Sequence, residues 1–144
     1  MFTKPLIQQF KEIPTPFYYY DLDVLTRTLK TLKEQANKYN YQVHFALKAN
    51  ANIKLLKIIH DYGVGADCVS GNEVIRARES GFNSQEIVFA GVGKTDREID
   101  LALDYGIYCF NCESQQEIEV INELAAEKNM VANIAIRINP NVDA

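Results

Sequence analysis

The stretch VHFALKANANIKLLKIIHDYGVGADCVS (43–70) contains one complete strand–helix–strand unit and decides the fold class. VHFALK (43–48) is a short apolar run typical of a strand. It is followed by NIKLLKIIHDY (52–62), whose apolar residues have helical spacing up to Gly63. VGADCVS (64–70) is strand-like again. A strand, a helix and a second strand in this order predict a parallel βαβ unit.

The same unit recurs toward the C-terminus. Three further strands are predicted, and the helices between and after them begin at S/T-x-x-E capping boxes, in which a hydroxyl and a carboxylate bind free backbone amides. The strands are IVFAG (87–91), IYCFN (107–111) and VANIAIRI (131–138), and the helices run from Ser70 to Gly81, from Thr95 to Gly106 and from Ser114 to about Asn129. These largely apolar strands are typical of a parallel sheet covered on both faces.

The segment before the first unit has a different character. FYYYDL (17–22) is aromatic and is predicted to form a strand. Residues 23–39 then place leucine, alanine and tyrosine at four-three spacing, which predicts an amphipathic helix. An N-terminal strand and helix therefore precede the repeated units.

Two architectures accommodate five parallel units. A doubly wound open sheet can be complete at this length. A (β/α)8 barrel needs eight units and about 250 residues, so the chain would then hold about five of the eight. Periodicity alone slightly favours the open sheet because that sheet needs no further residues.

Composition excludes several kinds of protein. The net charge is -4, so no basic surface for nucleic acid is expected. The N-terminus lacks the apolar core of a secretory signal, and no run approaches the roughly 18 apolar residues of a membrane span. Three cysteines without such a signal predict reduced thiols and a cytoplasmic location.

Lys48 is the most informative candidate for chemistry. Strand alternation places it on the same face as His44 and Ala46, at the carboxyl end of the first strand, where parallel α/β folds bind ligands. Burial lowers the pKa of a lysine and so favours a neutral, nucleophilic amine. The alternative is an ammonium that extends from the strand end into solvent.

Asp67 and Arg137 are ionisable residues within other predicted strands. Asp67 lies among small and apolar residues and needs a partner, either the lysine of the neighbouring strand or a cofactor nitrogen; the alternative is a structural carboxylate bound to a backbone amide. Arg137 lies among isoleucines near the end of the fifth strand. Together with Lys48 they predict a polar site at one edge of the sheet or at the mouth of a barrel.

Two motifs are interpreted as structural. AGVGKTD (90–96) resembles a nucleotide-binding loop, but that loop requires a glycine where Val88 stands. Cys109 and Cys112 have the spacing of a metal or redox pair. On a strand, however, they point to opposite faces, and no second ligand pair exists, so we predict core cysteines and no metal site.

The quoted segments resemble one family over essentially the whole chain. HFALKANAN (44–52) is similar to the cofactor-lysine segment of the fold-type III decarboxylases, which depend on pyridoxal 5'-phosphate (PLP) and combine an alanine-racemase-like barrel with a β-rich domain. GVGADCVSGNEV (63–74), IVFAGVGKTDREI (87–99) and IAIRINPNVDA (134–144) resemble the segments that follow, and TPFYYYDLDVL (15–25) resembles the N-terminal one. Within this group the resemblance is strongest to the diaminopimelate decarboxylases.

The resemblance implies a role for each candidate. Lys48 would carry PLP, Asp67 would lie beside the cofactor and the lysine, and Arg137 would lie near the cofactor ring. Ala46 would lie close to the ring, and Glu73 would support the polar network. The implied reaction is decarboxylation of a small amino acid, meso-diaminopimelate, to L-lysine.

The resemblance also implies the domain organisation. Residues 1–22 would contribute to the β-rich domain, and residues 23–144 would form part of the PLP-binding barrel. The family's phosphate-binding and substrate-selecting residues lie in segments that would follow Ala144, some of them acting across a homodimer interface, so we expect the isolated chain to be inactive. The alternatives are decarboxylases of ornithine, arginine or carboxynorspermidine, a racemase or PLP-homeostasis protein, and a flavodoxin-like module that binds a phosphorylated ligand without catalysis.

Overall fold

A computed structural model describes residues 2–140, so the last four residues of the NPNVDA segment, 141–144, lie outside the described residues. The described chain contains one sheet of five parallel strands, and each strand pairs with its neighbour in sequence. The strands are β1 (His44–Ala46), β2 (Gly65–Cys68), β3 (Ile87–Phe89), β4 (Cys109–Cys112) and β5 (Ile134–Ile136). All five lie within the strands predicted from the sequence, except that β4 extends one residue further.

Six α-helices accompany the sheet. They are α1 (Lys4–Lys11), α2 (Leu22–Lys38), α3 (Ile53–Asp61), α4 (Gly71–Glu79), α5 (Asp96–Tyr105) and α6 (Gln115–Glu127), with single 3-10 turns at Leu47–Ala49 and Ser84–Glu86. Only α1 was not predicted. None of the helices in residues 2–140 is long and apolar enough to cross a membrane.

The strand order decides between the two architectures. In a doubly wound sheet the order reverses at a switch point, and helices cover both faces. Here the order is β1-β2-β3-β4-β5 without reversal. Right-handed crossovers therefore place α3, α4, α5 and α6 on one face of the sheet. The described chain is an arc of a (β/α)8 barrel, and the open-sheet interpretation that periodicity slightly favoured is wrong.

The core lies between the sheet and these helices. Alternate strand residues are completely or almost completely buried there, including Ala66, Cys68, Ile87, Phe89, Phe110 and Cys112. They pack with buried helix residues such as Leu56, Val74, Ile99 and Ile121. Each large apolar side chain buried in this way contributes about 1.5–3 kcal/mol to folding. The intervening strand residues point to the opposite face, which is the interior of a barrel.

The predicted strand at 17–22 does not form in the described chain. Residues 17–21 are irregular and α2 begins at Leu22. A strand needs a neighbour to bind its amides and carbonyls, and no described segment pairs with this one. Instead, Phe10 of α1 contacts the rings of Phe17 and Tyr19, with centroids 5.5 and 5.0 Å apart. The assignment of residues 1–22 to a second domain remains a prediction.

The predicted capping boxes form in two ways. Thr95 and Glu98 make the complete box at α5. At α4 the Ser70 hydroxyl accepts the predicted bond, but the carboxylate of Glu73 binds the amide one residue earlier, Val69 N, at 2.8 Å. The box at α6 is shifted in the same way. In both cases the carboxylate binds the amide just before the N-cap residue and so holds the loop that follows the strand.

Glu98 also joins two neighbouring units. Its Oε1 accepts a 2.8 Å hydrogen bond from Gly71 N at the start of α4, and its Oε2 accepts one from Thr95 N at 3.1 Å. A side chain at position 71 would collide with Glu98, since a Cβ there would lie 2.8 Å from Glu98 Cγ. The bonds from Gly71 and Thr95 lower the pKa of Glu98 below its ordinary value.

We expect Glu98→Gln to weaken the α4–α5 connection by about 1–3 kcal/mol, the usual contribution of hydrogen bonds to a charged group. Because the folded-state pKa is lowered, the stabilisation is complete above the ordinary carboxyl pKa of 4.5 and is lost as the pH falls through the folded value. Hydrogen exchange at Gly71 and Thr95 should accelerate in the variant at pH 7, and this difference should shrink in acid. Equal protection in both proteins at pH 7 would contradict the prediction.

Candidate active site

The inner face of the sheet carries the candidate site. Pairing places His44 beside Gly65 and Ala46 beside Asp67. Partners in a parallel ladder point to the same side, so Ala46 and Asp67 share the face away from the helices. Two of the predicted residues are thus direct neighbours at the carboxyl ends of β1 and β2.

Lys48 lies just beyond β1 and not in it, which corrects the sequence interpretation. The strand ends at Ala46, and the chain turns through the 3-10 turn Leu47–Ala49. Leu47 is buried in this turn, whereas Lys48 is exposed. The argument from a buried amine therefore does not apply to the described chain, but the position at the carboxyl edge of the sheet is confirmed.

The asparagines after Lys48 hold this turn in place. Asn50 Oδ1 accepts from Asn52 N at 3.0 Å, and Asn52 Oδ1 caps α3 by accepting from Lys54 N at 3.0 Å. Asn50 Nδ2 donates to the Tyr20 hydroxyl at 3.1 Å. The KANAN sequence thus fixes the path of the chain from Lys48 into α3, and it ties that path to the N-terminal segment.

Asp67 has an unsatisfied carboxylate oxygen. Its Oδ1 is buried without a hydrogen-bond partner among the described residues. Burial raises the pKa of Asp67, and the charges of Lys48 and His44 oppose that rise. Lys48 is therefore close enough to act electrostatically on Asp67. A buried acceptor without a donor costs free energy unless a ligand supplies the donor.

His44 was not selected from the sequence, although strand alternation placed it on the same face. Its ring lies against Gly65, where a Cβ would also be 2.7 Å from the carbonyl oxygen of Glu86. His44 Nε2 is buried without a partner among the described residues. Burial lowers the pKa of His44, while Asp67 and Glu86 oppose this. The glycine opposite His44 in the neighbouring strand was the signal that could have identified it.

Arg137 lies at the same edge but apart from Lys48 and Asp67. Arg137 follows β5, and two strands, β3 and β4, lie between β5 and β2. At a strand spacing of about 4.8 Å, the distance from β2 to β5 across the sheet is about 14 Å. Its Nη1 forms an ion pair with Glu113 Oε1 at 3.1 Å. The two residues line a small pocket with Ala90, Asn111, Ala135 and Ile136. The structure therefore confirms the shared edge and shows no direct contact among the three candidates.

Glu73 and the lysine of the AGVGKTD segment both form hydrogen bonds within the protein. Glu73 binds Val69 N and thus holds the loop that follows Asp67. The lysine of the AGVGKTD segment, Lys94, has a side chain only 1% exposed. It donates to Gly91 O, Asn111 O and Glu117 Oε1, which uses all three of its ammonium protons. This lysine has no donor left for a nucleotide phosphate.

The predicted core cysteines are confirmed. Cys68, Cys109 and Cys112 are buried free thiols, and burial raises the pKa of each. Within residues 2–140 no cluster of three potential metal ligands occurs.

An arc of a parallel barrel with a lysine near an unpartnered carboxylate at its mouth is the arrangement expected of barrel enzymes that bind a carbonyl cofactor through lysine. The chain belongs to the pyridoxal-dependent decarboxylases: residues 22–144 match the pyridoxal binding domain of that family. The family and barrel predicted from the sequence are thereby confirmed, and the cofactor of the family is PLP.

Individual relatives show which members of the family this chain is similar to. Diaminopimelate decarboxylase of Bacteroides thetaiotaomicron is 58% identical over 139 residues, which is 96% of this chain and 36% of the relative. The crystal structure of Helicobacter pylori diaminopimelate decarboxylase complexed with L-lysine has a TM-score of 0.86 and 39% identity, covering 95% of this chain and 35% of that one. Ornithine decarboxylase of Entamoeba histolytica has a TM-score of 0.67 and 28% identity over 78% of this chain and 34% of that one. The chain spans about a third of the length of these relatives.

The described residues fit the cofactor. Lys48 supplies an accessible amine, and Asp67 supplies a buried acceptor whose Oδ1 lacks a donor. A protonated nitrogen placed on the inner face would satisfy that acceptor. Lys48 in the turn after β1 and Asp67 in β2 would thus offer PLP a covalent anchor and an acceptor at neighbouring positions.

We expect Asp67→Asn to stabilise the cofactor-free protein at neutral pH. Because the folded-state pKa of Asp67 is raised, its ionised form opposes folding above that pKa, and stability recovers as the pH falls through it. Thermal unfolding should show a higher Tm for the variant at pH 7 and convergence of the two proteins in acid. Glu34→Gln, at an exposed position in the middle of α2, is the control and should leave the Tm nearly unchanged. A variant less stable than the parent at pH 7 would contradict the burial argument.

Proposed function

We propose that this chain forms part of a PLP-dependent decarboxylase that converts meso-diaminopimelate to L-lysine. The observation that carries the proposal is the juxtaposition of Lys48 with the unpartnered carboxylate of Asp67 at the carboxyl edge of the sheet. The choice of substrate is supported by relatives named diaminopimelate decarboxylase at 58% and 43% identity. Arginine and ornithine decarboxylases are the alternatives in the same family, with TM-scores of 0.67 for both.

In this proposal Lys48 Nζ binds the cofactor covalently, and Asp67 accepts a hydrogen bond from a protonated group of the site. Ala46, small and next to Asp67, leaves room for the cofactor ring. Glu73 fixes the loop after β2 through Val69 N, and Arg137 supplies positive charge on the β5 side of the mouth.

PLP held by these residues would supply an electron sink for the pair left when the Cα–carboxylate bond breaks and carbon dioxide leaves. The contribution of the chain itself is proton transfer and orientation. In the complete protein the Nζ of Lys48 would lie where it could carry a proton to the substrate Cα.

The cellular setting is also part of the proposal. We place the protein in the cytoplasm as a homodimer. The three free thiols, each buried and with a raised pKa, support a reducing compartment.

Lys48→Ala in the complete protein should lower the decarboxylation rate by about 10² to 10⁴, the range for loss of a positioned proton donor. Borohydride reduction of the protein loaded with PLP should leave a pyridoxyl group on Lys48, as detected by peptide mass spectrometry. Lys54→Ala, at an exposed position on α3, is the matched control and should behave like the parent. A pyridoxyl group on another lysine would refute the assignment.

The 144-residue chain on its own should be inactive and poorly stable. In the described chain β1 and β5 each pair on one side only, and Ile134 and Ile136 are 41% and 67% exposed. Open edges and exposed apolar side chains promote association. Purified with PLP, the chain should form no lysine from meso-diaminopimelate; robust lysine formation would show the prediction to be wrong.

A further inference from the structure

Two ion pairs, linked through one backbone amide, connect the core to the mouth of the sheet. Lys94 Nζ contacts Glu117 Oε1 at 2.5 Å, Glu117 Oε2 accepts from Glu113 N at 2.8 Å, and Glu113 Oε1 contacts Arg137 Nη1 at 3.1 Å. The side chains of Lys94, Glu117 and Glu113 are 1%, 12% and 10% exposed, whereas that of Arg137 is 58% exposed. We call these four residues the ion-pair chain.

Each step of the ion-pair chain restricts the next. Lys94 has no spare proton, because it also binds the carbonyls of Gly91 and Asn111. Glu117 uses one oxygen for Lys94 and the other for the backbone of Glu113. This bond holds the backbone of Glu113, and the carboxylate of Glu113, which is only 10% exposed, requires a cation. Arg137 supplies that cation with Nη1, and its other side-chain donors have no partner within residues 2–140.

Comparison with the start of α4 shows that a helix start of this kind does not require a buried lysine or a second carboxylate. The segments DCVSGNE (67–73) and NCESQQE (111–117) place the same loop after β2 and β4, and in both the final glutamate binds the amide four residues before it. Where the second loop has Glu113, the first has Val69, which carries no charge. The carboxylate of Glu73 has no bond to a lysine among the described residues. The loop after β4 therefore adds a second carboxylate, Glu113, and the loop after β3 adds a buried cation, Lys94, that binds Glu117.

We propose that Lys94 and Glu117 are positioning residues that hold the guanidinium of Arg137 at the mouth of the barrel through Glu113. The inference rests on the proposed function only for the role of Arg137 in cofactor binding. The position of its side chain can be measured without the cofactor.

The test uses the complete protein with Glu113→Gln, Glu117→Gln and Lys94→Met. The crystal structure of each cofactor-free variant should show the Arg137 side chain displaced or in several conformers, and the PLP dissociation constant from fluorescence titration should rise roughly 2- to 30-fold. Glu117→Gln keeps the shape of the side chain, so it decides the matter if Lys94→Met does not fold. Glu123→Gln, exposed on the same helix, is the matched control and should change neither quantity.

A second comparison separates positioning from general stability. In an Arg137→Ala background, Glu117→Gln should produce no further loss of PLP affinity, because the residue it positions is gone. The proposal fails if Glu117→Gln lowers only the Tm, with Arg137 in place and PLP affinity unchanged. It also fails if the affinity loss persists without Arg137. Absence of PLP binding by the parent protein would instead contradict the proposed function and leave the structural readout intact.

Discussion

Pairing of each strand with its neighbour in sequence is the constraint on which the rest of the structure depends. It forces every crossover helix onto one face of the sheet, so that face becomes the apolar core. The other face is left to small and polar residues, among them His44, Ala46 and Asp67. Within strands of only three or four residues, alternation thus separates the residues that build the core from those that face the candidate site. A substitution of a residue on one face affects the core, whereas a substitution of the next residue in the strand affects the site.

The loops at the carboxyl edge show how such a site is held. Strand ends in a barrel carry free backbone groups, and this chain satisfies several of them with carboxylates. Glu73 and Glu117 bind the amides just before α4 and α6, and Glu98 links the starts of α4 and α5. These carboxylates bind backbone groups, so they position the loops and are not themselves free for catalysis. The residue left with an unsatisfied oxygen, Asp67, is the one beside the proposed cofactor lysine.

Much of this could be predicted from the sequence, for identifiable reasons. The strands, α2 to α6 and the glycines at their ends follow from local periodicity and capping, which act over a few residues. Whether the sheet closes as a barrel did not follow, because strand order is a long-range property that leaves no local trace. The strand predicted at 17–22 failed because its aromatic pattern required a partner that the described chain does not contain. Lys48 was placed correctly at the edge, although its exposure depends on a turn that periodicity cannot detect. The buried Lys94 was recognised only as part of a motif to be dismissed, since two of its three acceptors, Asn111 O and Glu117 Oε1, come from β4 and α6.

The strand order also has a consequence for assembly. Because β1 to β5 each contact only adjacent strands of the sequence, almost all pairing is between segments about 20 to 25 residues apart. Short sequence separation lowers the entropic cost of each pairing step and favours rapid, progressive growth from either end. Each partly assembled sheet exposes the unpaired edge of the strand that was added last. In the described chain β5 is such an edge strand, and it carries exposed isoleucines. During synthesis, the last strand made therefore keeps an unpaired apolar edge until the next strand is available. A pause in translation after β5 would leave that edge open to other chains.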